Sequence, residues 1–152
     1  MKFSLIDKSA KDASAIIIYK EKKILLNLRS NKNNIFYPNH WGLLGGAKEK
    51  NESLRLTAIR EFKEETSLKI IKKNLIFFNS IYFSLHNQPK KMIKRNFYTY
   101  EIKNLSHFNK NFKLTEGIKC RFFTYKQVMK LKNIVPYDKL ALDMFFDSKF
   151  YS

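Results

Sequence analysis

The chain has 152 residues, 44% of them hydrophobic and 15% aromatic, which suits one compact domain with a real core and excludes a disordered chain. Its single cysteine, Cys120, excludes an internal disulfide and a zinc site built on cysteines. Thirty Lys and Arg against 13 acids give a net charge of +17; the lysines are spread along the whole chain, so the surplus reads as composition bias, with attraction for polyanions as the functional alternative.

The N-terminus, MKFSLIDKSAKD, lacks the long apolar centre of a signal peptide, and no later run approaches a membrane span. The expected compartment is the cytoplasm, with no membrane contact. Residues 13–19 (ASAIIIY) and 22–29 (KKILLNLR) are β-rich apolar runs, with Lys20-Glu21 as a tight hairpin turn between them. A polar loop, 30–34, leads into Ile35 to His40, whose aromatics look exposed. Trp41 to Gly46 (WGLLGG) is a short strand feeding a glycine pair, which allows close approach of the backbone to a ligand. Helical spacing of Leu54, Ala58, Ile59 and Phe62 predicts the next element, capped by Asn51 or Ser53. A break at Lys72–Asn74 precedes a long strand, 75–85, a basic hairpin loop, 86–94, and a returning strand, 95–102. Residues 104–115 read as a loop with scattered aromatics, 118–124 as a strand, and 125–131 as a short helix. Pro136 suits the first turn of a last helix carrying Leu140, Ala141, Met144 and Phe145 at core spacing. Neither an internal repeat nor a linker interrupts 1–152, so one domain is expected, an α/β/α sandwich around a mixed sheet.

The chemistry concentrates on the first helix. Glu61, Glu64 and Glu65 stand at i, i+3 and i+4, within an arc of roughly 100°. Three like charges on one turn repel, and a hard divalent cation such as Mg²⁺ would cancel that repulsion. A solvated acidic face is the alternative.

The wider pattern decides between them. Gly46, five residues, Glu52, seven residues, Arg60-Glu61-Phe62, one residue, Glu64-Glu65, one residue, Ser67-Leu68 resembles the Nudix box, matching eight of its nine specified positions. The misfit is Ser67, where the family has Gly; just upstream, Leu44 stands where many members have Pro. The resemblance implies the Nudix fold and hydrolysis of a diphosphate linked to another group, very often a nucleoside diphosphate derivative. It assigns Mg²⁺ or Mn²⁺ to Glu61, Glu64 and Glu65, with the Gly46 carbonyl as a further ligand. It assigns Glu52 and Arg60 to holding loop and helix in register, with Glu64, Arg60 and Glu52 counted in the catalytic machinery. Ser67 is expected to end the helix in a left-handed conformation, at a cost of about 1 kcal/mol relative to Gly.

Outside the box, Glu116 resembles the loop glutamate that serves as base or metal ligand in the MutT-like branch; a solvated turn before a strand is the alternative reading. Glu101 is the other acid between the box and the last helix. Arg29 is a candidate phosphate clamp, and Trp41, Phe36 and Tyr37 are candidates to stack on the substrate, with Tyr82 and Phe83 on a neighbouring strand. His40, His86 and His107 have no partner pattern that recommends them as metal ligands. The substrate is expected to be a nucleotide-type small molecule, with RNA not favoured and a homodimer left open. Two other readings compete: a catalytically silent nucleotide- or RNA-binding module on the same fold, and an acidic helix with no ligand.

Overall fold

The computed structural model describes residues 11–33, 35–85 and 88–151. His86 and Asn34 therefore lie outside the described residues, as do the first ten residues on which the leader argument rested. The elements run β1 (Ala13–Lys20), β2 (Lys23–Leu28), β3 (Trp41–Gly42), β4 (Leu44–Ala47), α1 (Leu54–Thr66), β5 (Leu75–Leu85), β6 (Gln88–Glu101), α2 (Leu105–Asn111), β7 (Lys119–Thr124), α3 (Tyr125–Met129) and α4 (Pro136–Phe146). A 3₁₀ turn at Lys72–Asn74 precedes β5, and a π-helical turn at Asp147–Tyr151 follows α4.

The seven strands form one mixed sheet with the path β3-β2-β1-β6-β5; β4 adds to β1 and β7 to β2. β1 runs parallel to β6, from Ala13↔Arg95 to Tyr19↔Glu101, and every other pair is antiparallel. β1 is buried on both faces because helices cover both. Ala15, Ile17 and Tyr19 meet Leu142, Phe145 and Phe146 of α4 and Val128 of α3. Ile16 and Ile18 point the other way, toward Ala58 and Phe62 of α1 and Phe108 of α2. Period-2 alternation along an apolar run thus supplies two cores at once, and the α/β/α sandwich around a mixed sheet is as expected. None of the helices among the described residues is long and apolar enough to cross a membrane.

Four local expectations change. The first turn is Glu21-Lys22 rather than Lys20-Glu21, since Lys20 pairs with Lys23 and Glu21 takes the left-handed conformation (φ 53°). The basic stretch 86–94 is no long loop. β6 starts at Gln88, and its first residues extend the hairpin with β5 beyond the stretch that pairs with β1, which begins at Arg95. The stretch 104–115 contains α2: the Asn104 side chain accepts from His107 N at 2.9 Å, and Phe108 buries against Phe112 and Phe122. Finally, the core stripe of α4 is rotated from the expected one. Asp138, Ala141, Leu142, Phe145 and Phe146 are buried, whereas Leu140 is half-exposed and Met144 lies at the rim.

That rotation is testable. Leu142→Ala is expected to cost about 2–5 kcal/mol in urea unfolding, and Leu140→Ala no more than about 0.5 kcal/mol. Equal losses at the two positions would contradict the packing of α4.

Candidate functional site

Ser53 opens α1, accepting from Leu56 N at 3.1 Å, so the cap is Ser53; Asn51 instead takes a left-handed turn conformation. The helix buries Thr57, Ala58, Phe62, Glu65 and Thr66. Glu65 therefore goes into the protein with its charge. It is 5% exposed, and its Oε2 accepts from Gly45 N at 2.8 Å. The two glycines of β4 make this contact sterically feasible. Gly45 sits at φ +155°, where a side chain would run into the Ser14 carbonyl. At Gly46 a Cβ would fall inside the carboxylate of Glu61. Backbone and helix carboxylates thus lie closer than any other residue type would permit. Leu44, at the family's Pro position, is buried against the α1-side core.

Arg60 ties the preceding loop to this helix. Its Nε and Nη2 donate to the two oxygens of Glu52 at 2.8 and 3.0 Å, and Nη2 also reaches Ala47 O at 3.0 Å. Nη1 donates to Glu61 at 2.8 Å and Glu64 at 3.1 Å. Thr57 Oγ1 adds a bond to Glu52 at 2.7 Å. This planar fork is a geometry only arginine supplies. The Arg60 hydrogen bonds hold the Glu52 carboxyl down, from 4.5 to about 2. Burial pushes the Glu61 carboxyl upward, against the pull of Arg60. Burial also pushes Glu65, well above the ordinary range, and repulsion from Glu61 adds to it, while the Gly45 N–H works the other way.

The other end of α1 brings in Glu116. Ser67 ends the helix at φ 61°, ψ 10°, the left-handed conformation expected of it, with its N–H on Lys63 O. The last carbonyls of a helix lack partners within it. Here Lys113 N donates to Thr66 O at 2.9 Å, Thr115 N to Glu65 O at 3.1 Å, and Thr115 Oγ1 to Glu64 O. The segment 113–115 is thereby clamped to the helix, and Glu116 emerges beside Glu61 and Glu65, raising the pKa of both. Glu101 lies elsewhere, paired with Lys103 at 2.8 Å.

These carboxylates form one wall of a cavity of about 660 Å³. Arg29 lines it too, its Nε donating to Phe36 O at 2.7 Å, and its charge reaches both Glu65 and Tyr137. Phe36 lines the cavity as well. Trp41 and Tyr37 do not. Trp41 packs edge-on against Phe123 at 4.9 Å and braces residues 133–135 through two backbone bonds of 2.8 Å. Tyr37 stands behind the wall, edge-on to Tyr137. Tyr82 is exposed, with Lys94 over its ring; His40 bonds Pro38 O, and His107 bonds Asn111.

Phe83, one of the expected stacking candidates, lines the cavity, beside Tyr137, Arg95 and Asp138, which were not anticipated as members of a site. Phe83 stacks on Tyr137 at 4.7 Å, and the Arg95 guanidinium lies 4.9 Å from the Tyr137 ring centre. Arg95 is paired with buried Asp138 at 3.1 Å, and Asp138 also accepts from Leu43 N at 3.0 Å. The available signal was an acid in the core stripe of α4: Asp138 falls on the same face as Ala141, Leu142 and Phe145.

Whether the carboxylates suit a divalent ion depends on donor chemistry and on present geometry. The donors are hard oxygens, as Mg²⁺ and Mn²⁺ prefer, and buried Glu65 faces two like charges that a cation would neutralise. Among the described residues no three metal-binding side chains are already gathered around one point. Arg60 engages one oxygen each of Glu61 and Glu64 instead. The residues fit the ion chemically, and engagement of an ion would compete with Arg60.

Comparison with known proteins places the fold. A family model described as NUDIX domain matches residues 9–145. None of the curated proteins matches the chain in sequence. Among solved structures, a MutT protein from Methanosarcina mazei Go1 superposes with a TM-score of 0.72 at 20% identity, covering 92% of this chain and 97% of that one. The Escherichia coli dihydroneopterin triphosphate pyrophosphohydrolase gives 0.68 at 16% identity, covering 90% and 95%. The NUDIX domain of Shewanella oneidensis NrtR, complexed with ADP ribose, gives 0.67 at 15% identity, covering 93% and 90%. At these identities the likeness is one of fold.

The Glu52–Arg60 fork carries a pH signature. Glu52 has a lower pKa folded than unfolded, so its contribution to stability is complete above about pH 4.5 and is lost as pH falls toward 2. Glu52→Gln should melt below wild type near neutral pH, and the gap should close over that acid range. A gap independent of pH would show that the fork contributes through shape alone.

Proposed function

The chain belongs to the Nudix hydrolase family, and on that premise we propose that it hydrolyses the diphosphate linkage of a nucleoside diphosphate derivative in a divalent-metal-dependent reaction. The observation that carries this reading is the buried carboxylate of Glu65, which feels the charges of Glu61, Glu116 and Arg29, all lining one cavity. Glu61, Glu64 and Glu65, with the carbonyl of Gly46, would hold Mg²⁺ or Mn²⁺. The ion would neutralise charge on the non-bridging phosphate oxygens and lower the pKa of an attacking water.

The chain's own residues supply the remainder. Arg29, lining the same cavity as the carboxylates, meets a phosphate there. Glu116, exposed at the cavity rim and held there by the 113–115 clamp, takes the proton of the attacking water. Glu52 and Arg60 keep the glycine loop against the helix. The aromatic end, Phe83 and Tyr137 with Phe36 nearer Arg29, receives the group attached to the diphosphate; Trp41 and Tyr37 have no contact role here.

A second reading, a Nudix module that binds nucleotides without turning them over, draws on the present engagement of Glu61 and Glu64 by Arg60. One experiment separates the two. Incubated with a panel of nucleoside triphosphates, nucleotide sugars, ADP-ribose and dinucleoside polyphosphates plus Mg²⁺ or Mn²⁺, the protein should release cleaved products, and a chelator should abolish this. Glu65→Gln should lower the rate by about a hundredfold to a thousandfold, and Glu116→Gln by about a hundredfold or more with little change in KM. Nucleotide binding without turnover would favour the module, and near-wild-type rates in Glu65→Gln would remove the carboxylates from the chemistry.

A further inference from the structure

Strand β2 carries one uncharged polar side chain in its apolar run KILLNL, that of Asn27. Strand alternation puts it on the face of Leu25, toward α1. Its cross-strand neighbour on β7 is Cys120, whose thiol is pushed up by burial and by the charge of Glu65. Asn27 is 6% exposed and lines the cavity together with Arg29, Glu65 and Glu116. The two ends of its amide have different surroundings. Oδ1 is fully buried, and Gly117 covers it: that glycine adopts φ +87°, and a Cβ there would collide with Oδ1. Nδ2 is the accessible end, and no hydrogen bond engages it among the described residues. Buried polar side chains are ordinarily hydrogen-bonded, and a β-branched apolar residue would suit a central strand better. The fold thus leaves an N–H donor facing the cavity and closes off its acceptor end.

A donor selects its ligand by charge. A cation has no lone pair to offer an N–H, so Asn27 is not a further metal ligand. A phosphate presents non-bridging oxygens with lone pairs and negative charge, and a hydrogen bond to an ionised acceptor is stronger than one between neutral groups. Arg29, two residues on, has its Nε on Phe36 O, which leaves its Nη groups for the same anion. We propose that Asn27 Nδ2 donates a hydrogen bond to a non-bridging phosphate oxygen of the substrate, so that Asn27 and Arg29 together hold the diphosphate. This rests on the hydrolase reading of the cavity and adds to it a neutral donor that binds phosphate.

The test measures binding of inorganic pyrophosphate and of ADP, each with Mn²⁺, by calorimetry on wild type, Asn27→Leu and Asn27→Ala. Melting temperature is taken without ligand, and kcat and KM on whichever nucleotide of the panel is cleaved. Both variants should bind pyrophosphate and ADP about tenfold or more weakly than wild type, the equivalent of one hydrogen bond to a charged group. In turnover the loss should fall on KM, with kcat little changed. Asn27→Leu should melt no lower than wild type, because the unpaired acceptor goes with the donor. Variants that bind pyrophosphate as wild type does would overturn the proposal, as would a wild type with no affinity for pyrophosphate. A loss confined to ADP would overturn it too, because the amide would then meet the nucleoside. So would affinity that falls in step with melting temperature in both variants, since the amide would then hold the loop of Glu116 in shape. Failure of the hydrolase reading looks different: no nucleotide is cleaved, while pyrophosphate affinity still depends on Asn27 and the proposal stands.

Discussion

A carboxylate that folding drives out of water sets the terms for the rest of this structure. Glu65 lies on the buried face of α1 because the helix period places it with Ala58 and Phe62. Its partner is a backbone N–H rather than a buried cation, and Glu61 and Glu116 repel it. Burying a charge without a counter-charge is expensive, and the surroundings are arranged to make it tolerable. Two glycines bring the β4 backbone close enough to donate. Arg60 absorbs the charge of Glu52, Glu61 and Glu64 on the adjacent surface, and the charge of Arg29 reaches Glu65. The arrangement is suited to a positively charged visitor.

Distribution of charge follows the same logic. Of 13 acids in a chain of net charge +17, Glu49, Glu52, Glu61, Glu64, Glu65 and Glu116 gather around one helix. The basic excess favours the approach of a phosphate-bearing ligand, which inside would meet a local concentration of like charge that a divalent ion would offset. Arg29, the Arg95–Asp138 pair and the rings of Phe36, Phe83 and Tyr137 line the rest of the cavity. Asp138 also fixes Leu43, two residues before Gly45, so the final helix helps hold the glycine loop on which Glu65 depends.

The parts of this account that were readable in the sequence are those with local signals. The apolar period of α1, its three carboxylates, the left-handed Ser67 and the two-sided burial of β1 are properties of a few adjacent residues. What escaped depended on contacts distant in sequence. The clamp of 113–115 on the α1 carbonyls joins residues some fifty positions apart (Thr115 to Glu64, for instance, is a separation of 51) and leaves no local pattern. α2 was masked because its polar residues resemble a loop, although the Asn104 cap and the Phe108–Phe112 spacing were present. The stripe of α4 was misassigned because Leu140 and Met144 are apolar enough to pass for core, whereas the residue that is buried there, Asp138, has a charge that argues for the surface until its partner Arg95 is known.

The central claim is that Glu65 belongs to a site that takes a divalent cation, and thermal melting in the presence of Mn²⁺ tests it without reference to any substrate. An ion at a hundredfold excess over its dissociation constant stabilises the state that binds it by about 2.7 kcal/mol. Wild type should therefore melt several degrees higher in millimolar Mn²⁺ than in chelator, and Glu65→Gln should lose most of that rise. A wild-type melting temperature indifferent to Mn²⁺, or a Glu65→Gln protein that gains as much as wild type, would contradict the account.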